Sequence, residues 1–386
     1  MKRRLFLHRL AQTTALAGMP AWAPLARAAE SGVTPSTVTI GSSLALSGPL
    51  AGAGADHTAG VKAAFAVVNQ AGGIHGREVQ LLAKDDGYVP GRTLDNVKQM
   101  LDGNDVFALM SCMGTANTAA VLPLVEQQGV PCVGPVTGAS SLRQPGQKNV
   151  FHVRASYRDE TVRVVQQLVQ MGLKDIAIVY LDNPFGKEVL KDAEATLAAN
   201  NLKSVGSVAL AVDGANARQA ADQVLAAKAG AVLLGTTGTA NTAFVLALRG
   251  KASGLPLAGL SVSVISSELG KLGNASQGLA LTQVFPDAEK TKLPVVRSYQ
   301  AAMRAAGVEQ FGGSSFEGWI NAQVVIEGLK RAGRDLTRDR LRTALAGVKR
   351  LDLGDFSLGY GATPGPFVAS RFVELAILGA NGKRVS

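Results

Sequence analysis

Aromatic side chains make up only 5% of the 386 residues, and histidine is scarcer still, with four scattered at His8, His57, His75 and His152. No Cys/His grouping has the spacing of a zinc site, so no metal is expected, and each histidine past the leader reads as a surface or hydrogen-bonded structural residue. The only cysteines are Cys112 and Cys132. They fall at or near adjacent expected strands, and an oxidising compartment permits a bridge between them. A pair of buried free thiols remains the open alternative. The charges are interspersed, without a basic tract or aromatic interleaving, which excludes nucleic acid as a partner. No uninterrupted apolar run has the length of a membrane span.

Catalytic signatures are missing as well. There is no Gly-Lys-Ser/Thr phosphate loop and no Gly-x-Ser-x-Gly elbow. Gly52-Ala53-Gly54 lies between a strand and a helix, but His57 stands where a dinucleotide fingerprint needs its third glycine. Asp85 and Asp86 are adjacent, so on an extended chain their side chains diverge, which suits general acid/base chemistry poorly. Nothing assembles into a nucleophile with its base. The expectation is a protein that is not an enzyme and carries no cofactor.

What is present begins with an export leader. Lys2, Arg3, Arg4 and Arg9 precede a mildly apolar stretch from Leu10 to Leu25, and Ala26-Arg27-Ala28 offers the small-x-small cleavage pattern. Cleavage after Ala28 would deliver the chain to the periplasm. Arg3-Arg4-Leu5-Phe6-Leu7 is twin-arginine-like, with the ordinary secretory route as the alternative. Removing residues 1–28 takes away five bases and no acid, which halves the net charge of +10.

The remaining length exceeds what one core supports, so two domains are expected. Short β-branched or apolar runs recur at Val38–Ser42, Val79–Ala83, Val106–Met110, Pro131–Val133, Ile176–Tyr180, Val205–Val212, Val232–Leu234, Leu257–Leu260 and Leu279–Val284. Helical patterns separate them; Val61, Ala64, Phe65 and Val68 share one face, for example. Such alternation predicts an α/β protein with parallel sheets covered by helices, in two doubly wound Rossmann-like lobes. Ligands of such sheets sit at the carboxyl ends of the strands. The loops to examine are therefore 47–49, 85–88, 113–115, 136–138, 184–185, 236–237 and Ser261. Gly114 and Thr115 open a helix, whose unpaired amides and positive dipole end could seat a carboxylate. Alternatively Thr115 simply caps that helix.

Several segments resemble, in order, the branched-chain amino acid–binding family of ABC importers. They are Ser47-Gly48-Pro49, Ala71 to Arg77, Asp85 to Pro90, Gly114-Thr115, Gly129-Val130-Pro131, Arg154 to Tyr157, Phe316 to Trp319, and Phe372 to Leu375. The resemblance covers nearly the whole chain past the leader. It implies a type I periplasmic binding protein whose lobes, joined by a three-crossing hinge, close on a small molecule. The hinge crossings are then expected near Arg154–Ser156, Val284–Pro286 and Phe356–Pro364. One lobe would comprise residues 29–154 with 286–355, the other 155–285 with 356–386. Partners would be a small-molecule ligand and membrane permease subunits, for a monomeric receptor. A ligand sensor of the same fold and an exported Rossmann-fold redox enzyme are the alternatives.

The resemblance also implies a site. Thr115 and the Val136-Thr137-Gly138 loop match the positions that grip a ligand carboxylate. Met113, Gly114, Tyr88, Tyr157, Phe185, Thr237, Ser261 and Phe316 match positions lining the cleft, as does Ala53. Tyr157, Phe185 and Phe316 have core packing as a competing reading. Ser261 stands where amino-acid-binding relatives often carry an acid for the ligand ammonium, and Ala53 replaces an aromatic. The expected solute is therefore a carboxylate with no obligatory amine, unless Glu268 supplies the acid. Trp319, the one tryptophan past the leader, is expected to report closure by fluorescence.

Overall fold

A computed structural model describes residues 30–361 and 366–385. The expected leader, with its cleavage point after Ala28, lies outside the described residues. In the first lobe β1 (Thr37–Leu44), β2 (Glu78–Asp85), β3 (Ala108–Met110), β4 (Cys132–Val133) and β5 (Val150–His152) are parallel. Helices α1 (Ala51–Gln70), α2 (Pro90–Asp102) and α3 (Thr115–Gln127) connect them. The second lobe repeats the scheme with β6 (Ile176–Leu181), β7 (Gly206–Leu210), β8 (Ala231–Gly235), β9 (Leu257–Gly259) and β10 (Leu279–Gln283). Its helices are α4 (Tyr157–Gln170), α5 (Pro184–Ala199), α6 (Ala217–Ala226), α7 (Gly238–Arg249) and α8 (Ser266–Leu272). Strand interiors such as Ile176–Val179 are wholly buried, as expected of sheets covered on both faces.

The chain then returns to the first lobe. There α9 (Pro294–Ala305), α10 (Gly313–Ala332) and α11 (Arg338–Ala346) share a hydrophobic cluster with α1. Helices α1 and α10 approach closely because glycines meet at the crossing. A Cβ on Gly60 would lie 1.8 Å from Ser315 O, and one on Gly318 would lie 2.2 Å from His57 O. A ribbon of β11 (Leu351–Asp352) and β12 (Ser357–Leu358) follows, then β13 (Phe367–Val368) and β14 (Glu374–Ile377).

Strand order is β13-β5-β4-β3-β1-β2 in one sheet and β14-β10-β9-β8-β6-β7 in the other, with β14 antiparallel. Each sheet therefore reverses direction once, between β1 and β3 and between β6 and β8. Those are the switch points beside which open sheets take ligands.

One boundary read from the sequence is corrected. The final crossing was expected near Phe356–Pro364, with residues 356–386 in the second lobe. Instead Phe367 pairs with Phe151 in the first sheet, stacking ring on ring at 4.8 Å, and Tyr360 meets Phe151 edge-on at 5.4 Å. The aromatic cluster holds this segment to the first lobe. The chain passes to the second sheet only between Val368 and Glu374. The other two passages run from β5 to α4 and from β10 toward α9.

Candidate functional site

Both switch points open onto one cleft between the lobes, which holds a cavity of about 120 Å³. An apolar cavity of about 150 Å³ is enough for one benzene ring. The space therefore suits a small solute rather than a polymer. Among the residues named from sequence, Ala53, Tyr88, Met113, Gly114, Val136, Tyr157, Phe185, Thr237, Ser261 and Phe316 line it. Thr115, Thr137 and Gly138 do not.

The adjacent carboxylates Asp85 and Asp86 build the first-lobe wall. Asp85 Oδ1 accepts from the amides of Leu46, Ser47 and Gly87 at 2.9–3.0 Å, and Oδ2 from Ser47 Oγ at 2.6 Å. The Ser47 hydroxyl and these amides hold its carboxyl down at about 2. Asp86 is fully buried and accepts from Tyr88 N, Ser43 Oγ and Thr93 Oγ1, each at 2.9 Å. The pair thus ties the β1 loop to the β2 loop and sets Tyr88, at φ +67°, beside the cavity. Gly114 allows Tyr88 to lie there: at φ +104° it has no Cβ, and one would come within 2.6 Å of Tyr88 Cε2.

Thr115 is not the cap of α3. Gly114 occupies that position, and no side chain bonds the first-turn amides. The Thr115 and Thr137 hydroxyls bond one another at 2.9 Å, and both residues are buried. Gly138 accepts Tyr157 N at 2.8 Å through its carbonyl, and a Cβ there would crowd that amide at 2.6 Å. These three residues join the first-lobe loop to the start of α4, one layer behind the wall. Tyr157 and Phe185 meet edge-on at 5.0 Å in the second-lobe wall. Thr237 Oγ1 donates to Val262 O, which fixes one second-lobe loop against the next.

The floor holds a charged group that the motifs contained but sequence reasoning did not single out. Arg154, 1% exposed, donates from Nη2 to Glu160 Oε1 at 3.2 Å and to Ser261 Oγ at 2.5 Å. Its Nη1 lies 3.4 and 3.3 Å from the two oxygens of Glu317. Burial alone would lower the Arg154 pKa, but the carboxylates of Glu317 and Glu160 outweigh it and push it above the ordinary value. Burial raises the Glu317 carboxyl, against the pull of Arg154. Arg154 and Glu317 stood inside quoted motifs; a cation placed directly after the apolar Val150–Val153 run was the available signal. Glu268 is buried in an ion pair with Lys271 at 2.7 Å and is not among the lining residues.

His57 also faces the cavity, with Nε2 at 2.8 Å from Ser111 Oγ. Burial and the Arg154 charge lower its pKa to about 3, so it is neutral. Cys112 and Cys132 are both buried and free. The two lobes touch along the cleft rim. A Cβ on Gly52 would meet Ser267 Oγ at 2.0 Å, and one on Gly238 would meet Pro49 O at 2.6 Å. The arrangement described is therefore the closed one.

Similar proteins share this architecture. A substrate-binding periplasmic protein of Ralstonia solanacearum superposes with a TM-score of 0.83 at 32% identity, over 90% of this chain and 99% of that one. The Leu/Ile/Val-binding protein BraC3 of Rhizobium johnstonii is 24% identical over 355 residues, 91% of this chain and 92% of its own length. Leu/Ile/Val-binding protein homolog 3 of Brucella melitensis is 29% identical over 174 residues, and the match spans only 46% of that protein. The model of the periplasmic binding protein family matches residues 37–369. With two parallel-dominated sheets of matching topology enclosing a cleft, the chain belongs to that family and has the type I periplasmic binding fold.

Proposed function

We propose that the chain is the periplasmic receptor of an ABC importer, capturing a small carboxylate-bearing solute in the cleft for delivery to membrane permease subunits. The observation that carries this reading is the cavity in the cleft, with walls from both lobes and a volume of about 120 Å³ that suits a small solute. Its walls are largely apolar, from Leu50, Met113, Val136, Phe185, Ile265 and Phe316. Gly114, at the start of α3, supplies the polar end. First-turn amides of a helix lack intrahelical partners and the dipole is positive there, which favours a carboxylate. Such a receptor needs no catalytic group. It works by lobe closure, as a monomer exported behind a leader cleaved after Ala28.

A thermal-shift panel of amino acids, aliphatic and aromatic acids, dicarboxylates and amides tests the reading. A solute at a hundred times its dissociation constant stabilises the fold by about 2.7 kcal/mol. The expected result is a raised Tm with one group of monocarboxylates. If no carboxylate moves Tm while neutral compounds do, the carboxylate part of the reading is wrong.

A further inference from the structure

One carboxylate of the second lobe finds all its donors on the first. Glu188 lies on α5; its Oε1 accepts Ser141 N at 2.9 Å and its Oε2 accepts Ser141 Oγ at 2.5 Å. Among the described residues it has no ion pair and no other hydrogen-bond partner. Each half of the contact is fixed to its own lobe. Ser141 sits in the short turn Ser140–Leu142 that follows β4. His152 Nε2 donates to Leu142 O at 3.2 Å, and Arg143 Nη2 donates to Arg154 O and Ala155 O, each at 3.1 Å. The turn therefore travels with β5 and the start of the first hinge passage. Glu188 is carried by the buried residues beside it, Phe185 and Val189; a Cβ on Gly235 of β8 would meet Val189 Cγ1 at 2.9 Å. No backbone hydrogen bond joins the turn to α5 among the described residues. Rotating the lobes apart must then draw Ser141 away from Glu188. Ser141 is exposed and Glu188 half-buried, so water takes over both groups when they part.

We infer that Glu188 is a positioning residue for closure: its carboxylate takes the Ser141 amide and hydroxyl only when the lobes meet, and so holds the start of α5 over a captured solute. Phe185, one turn earlier on the same helix, is thereby kept in the cavity wall. Glu188 itself is not among the lining residues, so it acts on retention and not on recognition. Its charge matters, because hydrogen bonds to an ionised acceptor are roughly twice as strong as neutral ones. The effect on a solute rests on the cleft being the solute site, as proposed above. The making and breaking of the contact can be read without any solute.

Two measurements test this. In the first, Ser141→Cys and Glu188→Cys are combined and cross-linked in a thiol–disulfide buffer with no solute added; Cys112 and Cys132 stay buried and out of reach. Small-angle scattering should give a smaller radius for the cross-linked chain than for the same chain reduced. An equal radius would mean that the two residues stay together in the open form, and the inference is overturned. In the second, wild type and Glu188→Ala are compared by calorimetry and stopped flow with leucine, isocaproate and benzoate. Whichever of these the wild type binds, Glu188→Ala should bind about tenfold more weakly, the loss of a charge-assisted contact, and the loss should lie in faster release. The solute-free Tm should not change, and Ser141→Ala added to Glu188→Ala should cost nothing further. Equal affinity in Glu188→Ala, or a solute-free Tm that falls with it, overturns the inference. If none of the three binds the wild type while cross-linking still shrinks the chain, the carboxylate reading fails and the role of Glu188 in closure stands.

Discussion

At Gly114 two requirements meet in one residue: a backbone at φ +104°, and an open face for the Tyr88 ring. Only glycine meets both at low cost. Gly114→Ala is expected to destabilise the chain by about 1–3 kcal/mol through backbone strain. It should also weaken solute binding, because Tyr88 must move out of the wall. Chemical denaturation and calorimetry on the same sample separate the two effects. The histidines make a prediction about pH. His57 and His152 are buried and each has a pKa near 3, through burial reinforced by Arg154 and Arg143 respectively. The folded values lie below the unfolded value of about 6.5, so below that pH the unfolded chain binds more protons and stability falls. Each group would cost about 2 kcal/mol at about pH 5, and the loss continues toward about pH 3. His152→Gln should flatten that slope in urea titrations between about pH 7 and about pH 4. Residues at this scale were unevenly legible. Tyr88 and Gly114 could be placed beside the cavity because loop position follows from strand order, whereas Phe316, inside α10, was placed only by the family resemblance. Thr115 and Thr137 could not be told from wall residues, because a hydroxyl turned toward its neighbour looks the same in sequence as one turned toward a solute. The buried charge cluster was hidden because it brings together three segments, Arg154, Glu160 and Glu317, that lie apart in sequence.

Elements were read best where the period was long. The eight-residue β1 and β2 and the buried β6 carry enough β-branched and apolar residues to stand out. β5 has only three residues and β13 only two, too short for any alternation to show. Their pairing is decided by packing between Phe151, Tyr360 and Phe367, distant in sequence, and that is why the last crossing was placed too early. The same dependence on tertiary contact governs α1 and α10. Both helices carry glycine at their crossing, where helix propensity alone would favour alanine. Gly318→Ala is expected to destabilise by about 1–3 kcal/mol, the usual cost of overpacking, even though alanine is the better helix former. A measured stabilisation would show that the two helices can separate without loss.

At the scale of the whole molecule, capture depends on two rigid lobes meeting along a rim, and the rim contacts are made by residues that do little within either lobe. Gly52 lies in the first turn of α1 with Ser267 of the opposite lobe against it, so a side chain there has space only when the lobes are apart. Gly52→Leu is therefore expected to leave each lobe folded. It should even stabilise the solute-free chain slightly, because leucine exceeds glycine in helix propensity by up to about 1 kcal/mol. Closure, by contrast, must now displace α8 or tilt the lobes. The solute bound by the wild type should then bind at least about tenfold more weakly, the equivalent of about 1.4 kcal/mol charged to the closed state. Trp319, packed beside Phe316 with ring centroids 6.2 Å apart, gives the readout. Its emission should shift on binding in the wild type, and in Gly52→Leu only at correspondingly higher solute. Small-angle scattering should show the smaller radius of the closed form reached over that same range. Unchanged affinity with an unchanged scattering response would mean that the rim contact at Gly52 takes no part in closure, and that the lobes meet through other contacts, such as Pro49 with Gly238 and Ser141 with Glu188.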